Sequence, residues 1–130
     1  MKECNKQGKP ATGTGVLNVK RLTSSLLYSW DGLKAAVAHE AAFKQELLMA
    51  AILIPVALLV RLPAIWKVLM IGAILLVLIV ELLNSGIEAI VDKVSPEYHE
   101  LAKRAKDMGS AAVLLGLLNL LIIWLTAFFS

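Results

Sequence analysis

Cysteine is almost missing from this sequence. Cys4 stands alone in a polar stretch, so no internal disulfide and no cysteine-paired zinc site can form. The two histidines, His39 and His99, are far apart and make no metal pair at helical spacing. Only 18% of residues are charged and 6% aromatic, where an ordinary soluble domain carries about 25% charged residues. No apolar run precedes Leu47, so residues 1–19 read as a flexible cytoplasmic tail and not as a secretory signal. Gly13-Thr14-Gly15 lacks the remainder of a phosphate-binding loop, and neither GxxxxGK[ST], a Gly-rich kinase loop, HRD nor DFG occurs. No known soluble nucleotide fold is implied.

Apolar side chains fill the space. Of 130 residues, 58% are hydrophobic, and the mean hydropathy is +0.75. So small a soluble domain buries too little of its surface to hide that much apolar material, so the excess is expected to face lipid. The formal charge of +3 invites a nucleic-acid reading. The basic residues flank hydrophobic segments and form no dense patch, so no nucleic-acid partner is expected.

Three uncharged apolar stretches cover residues 47–60, 68–80 and 108–130. Only the third spans a bilayer by itself, since about 20 residues are needed. Ala41-Ala42-Phe43 lengthens the first and Leu82-Leu83 the second, giving transmembrane helices over about 41–60, 65–91 and 106–129. Pro55 falls inside the first, and Pro63 marks a tight turn before the second. The segment through Glu46 carries Lys2, Lys6, Lys9, Lys20, Arg21, Lys34 and Lys44, and the loop leading into the third apolar stretch adds Lys93, Lys103, Arg104 and Lys106. The turn between the first two spans holds only Arg61 and Lys67. The positive-inside rule then puts the N-terminus in the cytoplasm and the C-terminus outside. Before the spans, Leu26, Trp30, Leu33 and Val37 recur on one narrow helical face, with Asp31 and Lys34 off it. This predicts an amphipathic surface helix over about 22–40, either a simple anchor or part of a site.

Chemistry concentrates in one segment. Glu81, Asn84, Glu88 and Asp92 are three, four and four residues apart, so a helix carries them as one stripe with Ser85 at its edge. Leu82, Leu83, Ile87, Ile90 and Val91 form the opposite face. Carboxylates beginning at the end of an apolar run are costly in lipid and point to a protein interior or a wet cavity. Asp92 alone reads as a solvated helix end. Oxygen donors without cysteine or a histidine pair favour Mg²⁺, which commonly also carries nucleotide phosphates. Glu40 is a second acidic candidate, or simply an ion-pair partner of Lys44 four residues on. The run from Lys103 to Ser110 serves either as an interfacial anchor or, through Lys106 and Ser110, as a phosphate clamp. Gly86, Ala89, Gly109, Ala111 and Ala112 invite close helix packing, and a homo-oligomer with sites at subunit boundaries is the economical expectation.

Several motifs stand in order over residues 20–130. They are Tyr28-Ser29-Trp30 with Gly32-Leu33, Glu40-Ala41-Ala42-Phe43 with Gln45-Glu46, Glu81-Leu82-Leu83-Asn84-Ser85, Glu88-Ala89 and Asp92. Glu97-Tyr98-His99-Glu100 and the run from Ala105 to Val113 follow. Together they make the chain resemble the small prokaryotic integral-membrane diacylglycerol kinases. The resemblance implies an all-α integral membrane fold of three transmembrane helices plus an N-terminal amphipathic surface helix, assembled as a homotrimeric bundle in the bacterial inner membrane. The implied reaction is MgATP-dependent phosphorylation of diacylglycerol to phosphatidic acid, serving lipid recycling.

By position, the resemblance makes Glu81 the general base and Glu40 and Glu88 the carboxylates that hold Mg²⁺ with the ATP phosphates. It makes Arg21, Tyr28, Asn84, Asp92, Glu97, Tyr98, His99, Lys106 and Asp107 further ATP contacts. Arg21, Ser29, Trp30, Lys34, Ala42, Phe43, Lys44, Gln45, Glu46, Glu81 and Ser110 match lipid-substrate positions. Ser24 and Asp31 depart from basic or small residues usual in the family, and Ser25-Leu26-Leu27 replaces smaller ones. Two alternatives stand beside this reading: an undecaprenol kinase of the same family, and a small oligomeric transporter with Glu81 as its coupling carboxylate.

Overall fold

A computed structural model describes residues 18–130. Cys4, the Gly13-Thr14-Gly15 cluster and nearly all of the expected 1–19 tail lie outside the described residues. Four helices follow in order: α1 Val19–His39, α2 Ala41–Leu59, α3 Ala64–Val94 and α4 Glu100–Phe129. The last three are long and apolar enough to cross a membrane. The chain divides into two compact units between Gly32 and Leu33, within α1.

The first unit contains the opening turns of α1. Its hydroxyls are satisfied locally: Thr23, Ser24, Ser25 and Ser29 each donate to the carbonyl four residues back, at 2.7–2.9 Å. Leu26 and Trp30, half of the apolar stripe, are exposed there. In the second unit α1 ends at His39, and only Glu40 separates it from α2. Glu40 has extended backbone angles (φ −109°, ψ 106°). Its N–H still donates to Ala36 and its carbonyl accepts from Lys44, so the break is a single residue wide.

α2 runs through Pro55 without interruption and stops at Val60. The turn to α3 is closed at both ends. Pro63, with its fixed φ of −54°, opens α3, and its carbonyl accepts from Trp66 at 3.0 Å. The Lys67 ammonium caps the end of α2 by donating to the Leu58 carbonyl at 2.7 Å.

α3 packs against α2 and against α4. Its buried face begins with Met70, Ala73, Ile74 and Val77, then changes chemistry to Glu81, Asn84 and Ser85 on the same stripe. Ala50 and Ala57 of α2 and Trp124 and Ala127 of α4 complete the apolar end of that face. Trp124 donates its indole N–H to the Met70 carbonyl at 3.3 Å. Small residues set these helix distances, because lipid-embedded helices associate through close packing and not through water exclusion. Ala57 is 0% exposed, so Ala57→Leu is expected to cost about 1–3 kcal/mol through overpacking. Ala51→Leu, on an exposed position of the same helix, is expected to be neutral. Helix loss against increasing sodium dodecyl sulfate would distinguish the two variants.

At 1.5 Å per residue α3 is about 46 Å long, against roughly 30 Å of hydrocarbon. Glu81 lies about 25 Å from its start, and the whole helix is longer than a bilayer core is thick. α4 begins at Glu100, earlier than the 106 expected from its apolar segment. The reason is His99, whose Nδ1 accepts the Leu101 N–H at 3.1 Å and caps the helix.

Candidate active site

The acidic stripe sits where the buried face of α3 turns from apolar to polar. Glu81 is 5% exposed and Asn84 8%. Glu88 is half-buried, and Asp92 is exposed one turn further. Glu81 lies within electrostatic range of both Glu88 and Glu40, and Glu46 of α2 within range of Glu81. Glu40 of the α1–α2 break, Glu46 of α2 and Glu88 of α3 are thus each linked electrostatically to Glu81.

Three buried side-chain atoms among the described residues lack a hydrogen-bond partner: Glu46 Oε2, Asn84 Oδ1 and Ser85 Oγ. Buried polar groups are nearly always paired, so such a group of orphans marks a place for a ligand or water. Asn84 does donate through Nδ2 to Glu88 Oε1, at 3.4 Å. The Glu40–Lys44 alternative has no side-chain support among the described residues; the two are linked by backbone, Lys44 N–H to Glu40 carbonyl at 3.2 Å.

Beyond Asp92 the chain turns, and the turn builds a cleft of about 450 Å³. It is lined by Asp92, Glu97, Tyr98, His99, Lys106 and Asp107, with Ser95, Pro96 and Lys103 between them. That volume falls in the range of small-molecule sites. Ser95 donates its hydroxyl to the Glu97 carbonyl at 3.0 Å and fixes the turn. With Nδ1 of His99 accepting a backbone N–H, a neutral ring carries its proton on Nε2. Lys106 reaches across from α4 to Asp92 of α3 at 2.7 Å. Lys103 pairs with Asp107 along α4 at 2.5 Å.

The remaining expected positions are distributed as follows. Phe43 is buried at 2% exposure, whereas Ala42, Lys44 and Gln45 on the same turns of α2 are exposed. Ser110 is exposed on α4, and Lys34 is exposed near the end of α1. Arg21, Tyr28, Ser29 and Trp30 belong to the first unit, all exposed. As to metal, no group of three or more His, Cys, Asp or Glu side chains among the described residues is set to hold an ion. Glu40 and Glu88 are oxygen donors of the kind that suits Mg²⁺, which typically takes one or two carboxylates and leaves its other positions to water and phosphate.

The sequence model of prokaryotic diacylglycerol kinase matches residues 27–128. The chain belongs to that family. It is 49% identical over 104 residues to the diacylglycerol kinase of Escherichia coli (strain K12), covering 80% of this chain and 85% of that protein. Against the diacylglycerol kinase of Pseudomonas aeruginosa, identity is 48% over 117 residues, covering 90% and 95%. The Helicobacter pylori (strain 26695) diacylglycerol kinase is 45% identical over 106 residues, covering 81% and 82%.

Two features of the site were not among the expected residues. Gly109 of α4 lies directly against Asn84; a Cβ there would overlap the Asn84 carboxamide oxygen and stand 3.2 Å from its Cγ. Of the five small residues noted in the sequence, this is the one at the α3–α4 contact; a Cβ at Gly86 would meet nothing within 4 Å. Ser95 is the other, and its position between Asp92 and Glu97 was the available signal.

Proposed function

We propose that this chain transfers the γ-phosphoryl group of ATP to the free hydroxyl of diacylglycerol, giving phosphatidic acid and ADP. Family membership supports the reaction. The observation that carries the site is the buried polar stripe of Glu81, Asn84 and half-buried Glu88 on α3, with Glu40 and Glu46 in electrostatic range of Glu81 and a cleft bearing Lys106 beyond Asp92. Residues 20–130 act as one membrane kinase domain behind a cytoplasmic tail. α1 lies on the membrane surface, with its stripe of Leu26, Trp30, Leu33 and Val37 against lipid. Three copies form a homotrimer in the bacterial inner membrane, with the N-terminus and the α3–α4 turn in the cytoplasm and the C-terminus outside. ATP then meets the lipid headgroup level at the depth of Glu81.

Glu81 is the base. As the lipid oxygen bonds to the γ-phosphorus, its proton passes to the Glu81 carboxylate. The bond from the γ-phosphorus to the β–γ bridging oxygen breaks, and the electron pair leaves on ADP. Glu40 and Glu88 would hold Mg²⁺, which would supply positive charge against the phosphate oxygens. Asn84 orients Glu88 through its amide. Lys106 exchanges Asp92 for phosphate, and Arg21, Tyr28, Glu97, Tyr98, His99 and Asp107 complete the nucleotide contacts. Ser29, Trp30, Lys34, Ala42, Phe43, Lys44, Gln45, Glu46 and Ser110 border the lipid.

ADP release in detergent micelles tests the reading. It is expected to require both diacylglycerol and Mg²⁺, and ADP formation indifferent to the lipid would refute it. Within that assay Lys106→Gln is expected to raise the KM for ATP about tenfold to a hundredfold, as for loss of a charge-assisted hydrogen bond. An unchanged KM would assign Lys106 to anchoring instead.

A further inference from the structure

Two lysines line the cleft at the α3–α4 turn, and each is already held by a carboxylate of the same cleft. The two pairs differ in what they join. Lys103 and Asp107 are four residues apart on α4, so their pair closes one turn of a single helix. Lys106 reaches across to α3 instead, where its Nζ donates to Asp92 Oδ1 at 2.7 Å. Glu97 adds a third carboxylate against the two ammonium groups. A phosphate entering this cleft meets acceptors in excess and must take its lysine from a carboxylate.

That arrangement sets a condition on binding. A phosphate oxygen and a carboxylate oxygen seek the same position on an ammonium, each through a charge-assisted hydrogen bond. Ionised Asp92 only accepts hydrogen bonds, so it offers the oxygens of a nucleotide nothing directly. Its influence on the nucleotide passes through Lys106. The pair is also easy to part. The side chains are 41% exposed at Lys106 and 65% at Asp92, and ion pairs so open to water hold only weakly. Asp92 stands in the last turn of α3, and the lysine stem is flexible. The ammonium can therefore swing between carboxylate and phosphate by side-chain rotation, with both helices in place.

We propose that Asp92 is a positioning residue that keeps the place of phosphate on Lys106. Without nucleotide it holds the ammonium at the cleft. It yields the ammonium to an incoming phosphate and takes it back as ADP departs. Asp92 thereby lowers nucleotide affinity and favours product release. The proposal deepens the kinase reading above and rests on it.

Titration calorimetry of the full chain in detergent micelles with MgADP tests it, on the wild type, Asp92→Asn, Lys106→Gln and the double variant. Both substitutions keep the side chain's size and remove one charge at an exposed position, so helix content by circular dichroism should not change. Asp92→Asn alone is expected to tighten MgADP about twofold to fivefold, the range of an exposed ion pair. On the Lys106→Gln background the same change is expected to leave the affinity where it was. Equal tightening on both backgrounds would reflect only the loss of a negative charge near an anion, and overturns the placeholder role. An unchanged affinity overturns it too, as does a weaker one, which would make Asp92 a direct support of the nucleotide or its metal. A wild type that binds no MgADP fails the kinase reading itself, and this proposal with it.

Discussion

Glu81→Gln is expected to lower kcat about a hundredfold to ten-thousandfold, the range that a positioned general base contributes. ATP affinity should stay within about twofold, because the amide keeps the volume of the carboxylate and removes only its ability to take the lipid proton. The geometry makes Glu81 the sharpest residue to test. It is the innermost acid of the stripe, at 5% exposure, and it is coupled to Glu40 and Glu88, which are assigned to the metal. Isothermal titration with a non-hydrolysable ATP analogue, beside initial rates, separates the two quantities. A variant retaining more than a tenth of the rate would put the base elsewhere, with Glu46, the neighbour of Glu81 on α2, as the next candidate.

The second large effect is expected at Gly109. Its α-carbon is pressed against the Asn84 side chain, and any Cβ overlaps that carboxamide. Asn84 is buried and tied to Glu88, so it has little room to give. Gly109→Ala is expected to cost about 1–3 kcal/mol of stability by overpacking. It also moves Asn84 off Glu88, so activity should fall further than unfolding alone explains. Gly86→Ala provides the contrast, because nothing lies within 4 Å of its added Cβ. That change should be neutral or should stabilise by up to about 1 kcal/mol, since alanine is the better helix former. In the double variant Asn84→Ala with Gly109→Ala, the overlap disappears. Stability should recover while activity does not. Recovery of both would reduce Asn84 to a packing residue.

The helices were legible because charge is excluded from three long runs, and lipid leaves no other structure for such runs. The acidic stripe was equally legible: the spacing of Glu81, Asn84, Glu88 and Asp92 fixes them to one face wherever α3 packs. What the sequence could not provide was which face meets which helix. Five small residues looked alike as contact points, and only the register of α3 on α4 singles out Gly109. The Asp92–Lys106 pair, 14 residues apart, depends on a turn whose path is set by Ser95 and His99. Capping by His99 also carried α4 back to Glu100, since a ring nitrogen accepting an N–H is a rotamer event and not a pattern. Glu40 was visible as an acid, but not as the single extended residue between two helices.

Lipid competition is the most direct test of the central assignment. The intact protein, with MgATP, would be offered diacylglycerol and undecaprenol together in mixed micelles, and the phosphorylated lipids identified by mass spectrometry. Phosphatidic acid as the dominant product, lost in Glu81→Gln, is the predicted result. Undecaprenyl phosphate alone would keep the mechanism and replace the substrate. Neither lipid phosphorylated by a folded oligomer would contradict the account as a whole.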